Sequence, residues 1–341
     1  MIGIVFALVS AALFGISAPV AKLLMGEVSP WLLAGLLYLG SGCGLALLRL
    51  FRKSQETPLS RADLPWFAAA TLAGGVIGPV LLMFGLAQSS AAEASLLLNL
   101  ESVLTLAIAW MVFRENVDRR LLIGAAAIVT GALILSWPES AAIGFDWGPL
   151  LIAGACLAWG IDNNLTRKVS ASDPMQIAML KGLVAGAVNT GLALSLDPTF
   201  PTLGTLAAAG LVGFLGYGVS LTLFVLALRH LGTARTGAYY ALAPFIGAAI
   251  AILFLGEAIS PAFIAGGVLM AIGLWLHLTE QHVHEHIHEP MEHEHLHVHD
   301  AHHQHEHGPD AGPEPHAHRH QHARLVHRHP HYPDLHHRHE H

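Results

Sequence analysis

Apolar segments of about 20 residues recur along the chain from residue 3 to residue 279, with short polar connections between them. A helix needs about 20 apolar residues, at 1.5 Å each, to cross the hydrocarbon layer of a membrane. The pattern therefore predicts ten transmembrane helices, at residues 3–24, 31–50, 65–87, 91–113, 120–137, 148–168, 174–196, 204–228, 234–256 and 261–279.

The basic residues of the connections alternate along the chain. The second, fourth, sixth and eighth connections carry Lys or Arg, whereas the odd-numbered ones carry only acidic charges. Short loops rich in Lys and Arg remain on the cytoplasmic side. The sequence therefore predicts a multi-pass protein of the plasma (inner) membrane with both termini in the cytoplasm.

An internal repeat relates the two halves of the apolar region. A shift of 142 residues aligns residues 70–135 with 212–277 without a gap. Glu115 then falls on Glu257, and the glycines that follow keep the same spacing. The unit has five helices, an odd number, so the second copy must insert upside down. We predict an all-α integral membrane fold with two inverted five-helix repeats, at residues 1–137 and 138–279. This architecture is typical of secondary transporters.

Two stretches carry a resemblance to a known family. They are LNLESVLTLAIAWMVFRENVDRRLLIGAAAIVTGALIL in the first half and ALAPFIGAAIAILFLGEAISPAFIAGGVLMAIGLWL in the second. The chain resembles the EamA-type transporters of the drug/metabolite transporter superfamily over about residues 1–278. The second copy has the family-like Pro244 and Gly256-Glu257, whereas the first has Ser102 in place of that proline and Arg114 before Glu115. The resemblance implies an exporter of small metabolites, often proton-coupled.

Charged residues inside the predicted spans indicate where transport takes place. A charge at the bilayer centre costs roughly 3 kcal/mol or more, so each one needs a partner or a purpose. Asp162 and Lys181 lie at similar depths in two adjacent helices. They form either a structural ion pair or part of the transport pathway, and both readings stay open here.

Glu101 lies near the middle of the fourth span, with Asn99 close by. Burial favours the protonated form of a carboxylate, so Glu101 is expected to bind and release a proton during transport. The alternative is a protonated Glu101 that only makes hydrogen bonds inside the bundle. Lys22 and Glu93 are placed either as an outer gate pair or as solvated helix ends.

The sixth span is the most polar one, since Asn163 and Asn164 follow Asp162 directly. Aromatic residues near membrane depth are expected to form an amphipathic wall around an organic substrate, although single aromatics often only pack or anchor a helix at the interface. The candidate lining residues are Asn163, Trp159, Tyr217, Tyr239 and Tyr240.

Residues 280–341 differ from the rest of the chain. They contain all of the 25 histidines except His230 and His277, and their acidic excess accounts for the formal net charge of −7. Few large apolar residues are present, which predicts a disordered cytoplasmic tail. Imidazole suits Zn, Ni, Co and Cu, so the tail is a candidate metal-binding segment. The first candidate ligands are His282, His284, His286, His288, His293, His295, His297 and His299.

These features favour a transporter of a small organic molecule whose tail binds divalent metal ions. The alternatives are an efflux carrier for Ni, Co or Zn and a membrane-tethered metal buffer or sensor. No required cofactor, catalytic centre or nucleic-acid partner is predicted. The partners are the lipid bilayer, the small-molecule substrate and divalent metal ions, and the sequence leaves the oligomeric state open.

Overall fold

The body of the protein is helical in a computed structural model that describes residues 2–51, 57–113, 117–137, 147–169, 172–197, 199–224, 226–227, 236 and 239–279. It also describes the backbone of four short stretches of the tail. Within these described parts, residues 2–279 contain no strand. In chain order the helical segments are α1 Ile2–Leu24, α2 Pro30–Phe51, α3 Arg61–Gln88, α4 Ala91–Phe113, α5 Arg119–Leu135, α6 Trp147–Val169, α7 Pro174–Leu196, α8 Leu203–Phe224, α9 Ala243–Leu255 and α10 Pro261–Leu278.

Seven of the described helices are long and apolar enough to cross a membrane, namely α1, α2, α3, α4, α7, α8 and α10. The chain is therefore a multi-pass membrane protein. The α9 segment has the required hydropathy but only 13 residues. The prediction of ten spans goes further than these lengths and stays a prediction.

Polar side chains placed just before the helices explain where several of them begin. Each accepts a hydrogen bond from a backbone amide of the first turn, which satisfies a donor that has no partner within the helix. The capping residues are Ser90, Asp118, Asp173, Thr202 and Ser260.

Three helices depart from the uninterrupted α-geometry that the hydropathy pattern predicts. A π-helical segment, Thr71–Ile77, lies in the middle of α3, and a second one, Phe214–Val219, lies in α8. The α4 helix is broken at Leu98 and Asn99 into Ala91–Leu97 and Leu100–Phe113. Such irregularities free backbone groups from the helix and are frequent at functional sites.

Glycines allow close contact between helices of the two halves. The α2 helix packs against α7 where Gly42 faces Gly182, and α5 packs against α10 where Gly131 faces Gly266. Small residues let helix backbones approach closely in membranes. The pairs α2 with α7 and α5 with α10 thus join the two halves, and α2 and α7 also line the candidate site described below.

The disordered tail stays a prediction. Its described backbone has four strands, β1 His282–His288, β2 Met291–His297, β3 His316–His322 and β4 Leu325–His331. They form two antiparallel pairs, β1 with β4 and β2 with β3. In these stretches histidine alternates with a second residue, which gives the two-residue period of a strand.

Candidate functional site

A cavity of about 410 Å³ lies inside the helical bundle. Its lining comes from α1, α2, α4, α6, α7, α8 and Tyr240. The cavity reaches the end of the bundle at which Arg49 pairs with Asp173 at 3.0 Å, since Thr166 and Pro174 are part of its lining. We call this the Asp173 end. The volume lies in the range of pockets that hold small organic molecules.

Glu101 lies on the polar wall of this cavity, in the first turn after the break in α4. Its Oε1 accepts a hydrogen bond of 2.8 Å from Asn163 Nδ2, and Asn163 also contacts Thr105. The amide end of a helix attracts negative charge. The break in α4 therefore places a carboxylate and a helix N-terminus together at the cavity, an arrangement known from transporter sites built on discontinuous helices.

An ion pair between α6 and α7 forms a second part of the polar wall. Lys181 Nζ lies 2.6 and 2.8 Å from the two carboxylate oxygens of Asp162. Thr166 donates a further hydrogen bond of 2.8 Å to Asp162 Oδ1. The Lys181 side chain is 16% exposed and that of Asp162 is 10% exposed. The pair is thus mostly buried, yet it borders the cavity.

The π-helical segment of α3 supports the same wall from behind. The carbonyl oxygen of Gly74 accepts hydrogen bonds from Tyr38 Oη at 2.8 Å and from Trp159 Nε1 at 2.9 Å. A Cβ atom at Gly74 would overlap the carboxylate of Asp162. Glycine is therefore required at this position because the Asp162 carboxylate lies directly against the backbone.

Aromatic rings form another part of the lining. Phe14 and Tyr217 meet edge to face with their centroids 5.8 Å apart, and Tyr217 lies 5.5 Å from Tyr38. Tyr240 extends the row, with its ring 4.8 Å from that of Phe224. Such a wall suits a planar or apolar molecule.

The structure brings most of the residues singled out from the sequence to this one cavity, namely Glu101, Asp162, Asn163, Lys181, Trp159 and Tyr217. Asn99 is placed elsewhere: it is buried beside the α4 break and donates to the Leu96 carbonyl. Tyr239 is outside the lining, and its neighbour Tyr240 takes that position. Of the two neighbouring candidates, only Tyr240 is thus a lining residue, and the lining residues not expected from the sequence are Phe14, Tyr38, Thr166 and Phe224.

The other end of the bundle is closed around the short connection between α3 and α4. Lys22 Nζ donates to the carbonyl oxygens of Leu86 at 2.6 Å and Ser89 at 2.8 Å. The carboxylate of Glu257 accepts from the amides of Ala91 and Ala92, both at 2.7 Å. We call these two contacts the Lys22–Glu257 latch.

The latch is built by local backbone geometry as well as by charge. Gly256 has a φ of 68°, which ends α9 with the left-handed turn that favours glycine. The turn brings Glu257 directly to the start of α4. The Lys22–Glu93 pair considered from the sequence is replaced by these contacts, since Lys22 donates to carbonyl oxygens and the Glu93 amide donates to Ser90 Oγ.

Substitution of Gly74 by Ala is expected to destabilise the protein by about 1–3 kcal/mol, because the added methyl group displaces Asp162 from its partners. Thermal unfolding of the purified protein in detergent measures this loss. Gly191→Ala in α7 is the matched control, since a Cβ there meets no atom within 4 Å. Equal unfolding temperatures for the two variants would contradict the close packing at Gly74.

Among the residues that the structure describes, no three His, Cys, Asp or Glu side chains come together as a metal site. The side chains of the tail histidines, His282 to His299 included, lie outside the described part of the structure.

A multi-pass helical bundle around a partly polar cavity, closed at one end, is the arrangement of a membrane transporter. The chain belongs to the EamA-like transporter family, which it matches over residues 1–137 and 146–279. This membership and the names of its relatives indicate a transporter of small molecules and not an enzyme.

Two relatives carry transporter names, and a solved structure shares the fold. The chain is 27% identical over 301 residues to an uncharacterized transporter of Methanothermobacter thermautotrophicus, covering 80% of this chain and 85% of that protein. It is 28% identical over 207 residues to a probable amino-acid metabolite efflux pump of Salmonella typhimurium, covering 54% and 66%. A solved crystal structure shares the fold with a TM-score of 0.59 at 18% identity, covering 81% of this chain and 96% of the other.

Proposed function

We propose that this protein is a proton-coupled exporter of a small organic metabolite. The observation that carries the proposal is the cavity in which Glu101, at the break of α4, faces a row of aromatic side chains. A carboxylate that gains and loses a proton there would couple cargo movement to the proton gradient. The aromatic row would hold the organic part of the cargo.

The proposal includes two inverted five-helix halves. The two π-helical segments support it, because a shift of 142 residues places Phe214–Val219 on the last six residues of Thr71–Ile77. The chain matches its family twice, over residues 1–137 and 146–279. In the repeat, α2 corresponds to α7 and α5 corresponds to α10. The two members of each pair pack against each other, as expected for equivalent helices next to a two-fold axis.

Ten spans follow from this arrangement. The α5, α6 and α9 segments would then cross the membrane although they fall short of the length or hydropathy of the others. The polar residues of α6 face the cavity and its neighbours, which explains the lower hydropathy of this helix. At 1.5 Å per residue, the 13 residues of α9 cover about 20 Å, and the turn around Tyr239 and Tyr240 would complete the crossing.

We further propose an inner-membrane orientation with both termini in the cytoplasm. The distribution of Lys and Arg over the connections supports it. The Asp173 end is then cytoplasmic, and the cavity reaches it. The Lys22–Glu257 latch lies at the outer end, so the structure corresponds to an inward-facing state of an alternating-access cycle.

Amino-acid metabolites are the first cargo class to test, because one relative is named as a probable efflux pump for them. The experiment uses the purified full chain in proteoliposomes with radiolabelled amino acids, and with nucleosides and divalent metal ions as other classes. We expect uptake of at least one organic class to rise when the lumen is more acidic than the bath. Transport of no organic class, or equal rates with and without the gradient, would disprove the proposal.

We propose that the tail binds divalent transition metal. The backbone register supports this proposal, because β1 and β4 place His284 opposite His329, and β2 and β3 place His295 opposite His318. Neutral imidazole is a good ligand for Zn, Ni, Co and Cu, and protonation near pH of about 6.5 removes this capacity.

Deletion of residues 281–341 is expected to remove high-affinity Zn²⁺ or Ni²⁺ binding while organic transport continues. Equilibrium dialysis of both forms at pH 7.5 and pH 5.5 measures the binding, which we expect only for the full chain at the higher pH. Metal binding that survives the deletion would place the ions in the body. Metal-dependent uptake into proteoliposomes would favour the alternative of a Ni, Co or Zn carrier.

A further inference from the structure

We infer that Lys181 is the anion site of the cavity, where it binds a carboxylate of the cargo in exchange for Asp162. The inference rests on the proposed function, which it narrows to carboxylate-bearing molecules with an apolar or aromatic body. Without cargo, Asp162 would act as the internal ligand that holds the ammonium group of Lys181 at the wall.

The geometry of the ion pair allows this exchange. Lys181 and Asp162 both border the cavity, so an anion in the cavity can reach the ammonium group without moving a helix. Thr166 donates to Asp162 Oδ1. This hydrogen bond would leave Asp162 with a partner when Lys181 turns to the cargo.

The other half of the protein shows that packing alone does not require the pair. In the repeat, Gly74 aligns with Gly216, and Ser17 aligns with Asp162. The contacts agree, since a Cβ at Gly216 would meet Ser17, just as one at Gly74 would meet Asp162. The contact of α1 with α8 therefore uses a neutral serine, whereas the equivalent contact of α6 with α3 uses the aspartate of an ion pair.

A buried ion pair is costly to form, and replacing one by neutral groups is often neutral or stabilising. Because a serine suffices at the equivalent helix contact, packing alone does not explain why the protein buries an ion pair here. The charges instead line the cavity together with the aromatic row of Phe14, Tyr217 and Tyr240. A carboxylate on Lys181 and an apolar body against this row would use both walls together.

The test compares two probes that differ only in charge, 3-phenylpropionate and the neutral 3-phenylpropionamide. Binding to the full chain in nanodiscs is measured by calorimetry at pH 7.5. The variants are Lys181→Met, Asp162→Asn and the double variant, with Lys168→Met as the matched control. Lys168 lies outside the cavity lining, with its ammonium group 5.4 Å from the Phe113 ring.

We expect Lys181→Met to weaken 3-phenylpropionate binding by about tenfold to a hundredfold, the value of a hydrogen bond to a charged group. Asp162→Asn is expected to strengthen it, because the competing carboxylate is gone. The neutral amide should bind equally to all variants, and the control should match the wild type. The double variant is expected to fold, and to bind the acid no better than the amide.

Equal losses for both probes in Lys181→Met and Asp162→Asn, together with lower unfolding temperatures, would show a structural ion pair and overturn the inference. A wild-type protein that binds neither probe, or both equally, would also overturn it. These outcomes leave the proposed function standing as long as proteoliposomes still transport an amine or neutral metabolite along the proton gradient. Loss of all gradient-driven transport is the separate failure of that function.

Discussion

Replacement of Glu101 by Gln is expected to abolish gradient-driven transport while the protein folds normally. Gln keeps the size of the side chain and its carbonyl oxygen can still accept the hydrogen bond from Asn163 Nδ2. It cannot bind or release a proton at any accessible pH. The variant should therefore bind cargo and exchange it across the membrane, but accumulate none against its gradient.

Two proteoliposome assays separate these properties. Uptake driven by a pH difference should fall to the level of empty liposomes, whereas exchange of internal for external labelled cargo should continue at a rate within about threefold of wild type. Glu93→Gln is the matched control, because Glu93 belongs to the same helix but lies outside the cavity lining. Full gradient-driven accumulation by Glu101→Gln would remove this carboxylate from the coupling mechanism.

Glu101, Asp162 and Lys181 could be identified from the sequence because charge is rare and costly in apolar spans. Depth along two neighbouring helices also suggested that Asp162 and Lys181 meet, and the structure places them in contact. The depth of each residue follows from the helix ends and the rise per residue, which tertiary packing hardly changes. The family resemblance similarly followed from residues that set helix ends, such as Gly256 and Glu257.

The irregular helices could not be predicted in the same way. The segment around Leu98 and Asn99 lies inside one apolar span of 23 residues, and its hydropathy does not indicate the break. A helix rotates by about 100° per residue, so an interruption changes which neighbour faces the cavity. Asn99 lies at the break of α4, and Tyr239 and Tyr240 precede a turn before α9, which accounts for both misplaced lining residues.

The aromatic lining residues were missed for a related reason. Phe14, Tyr38 and Phe224 are apolar or amphipathic residues within apolar spans, and nothing in their spacing separates cavity from lipid. Their role follows only from the assembled bundle, in which the Tyr38 hydroxyl reaches the Gly74 carbonyl of another helix. Charged and polar cavity residues can be recognised in an apolar span from the sequence, whereas apolar and aromatic cavity residues cannot be told from residues that face lipid.

Opening of the latched end is the second large effect that we expect. The Lys22–Glu257 latch places each charge at the helix end that attracts it: Lys22 at the carbonyl end of α3 and Glu257 at the amide end of α4. One residue comes from each half of the chain, and both hold the same short connection. The connection itself belongs to the first half, so movement of the halves apart at this end must break the Glu257 contacts, and Lys22 holds the connection in the position that Glu257 binds.

Substitution of Lys22 by Met or Glu257 by Gln is accordingly expected to shift the population toward the state that is open at this end. The loss of a charged hydrogen bond is worth about 1.5–3 kcal/mol, which corresponds to a shift of about tenfold to a hundredfold. A cysteine at Ser95, buried in α4 on the cavity side of the latch, reports the opening by its rate of labelling with a membrane-impermeant maleimide. The two native cysteines, Cys43 and Cys156, are first replaced by serine.

Asp197→Asn is the control for a lost charge at the same end, because the Asp197 carboxylate accepts a hydrogen bond from the Thr199 amide of its own connection and takes no part in the latch. It should leave the labelling rate unchanged, while either latch variant raises it about tenfold and the double variant raises it further. Because both residues hold one connection, the effect of the second substitution should be smaller than that of the first. Labelling rates of the latch variants that equal those of the control would mean that the closed end is held by apolar packing alone.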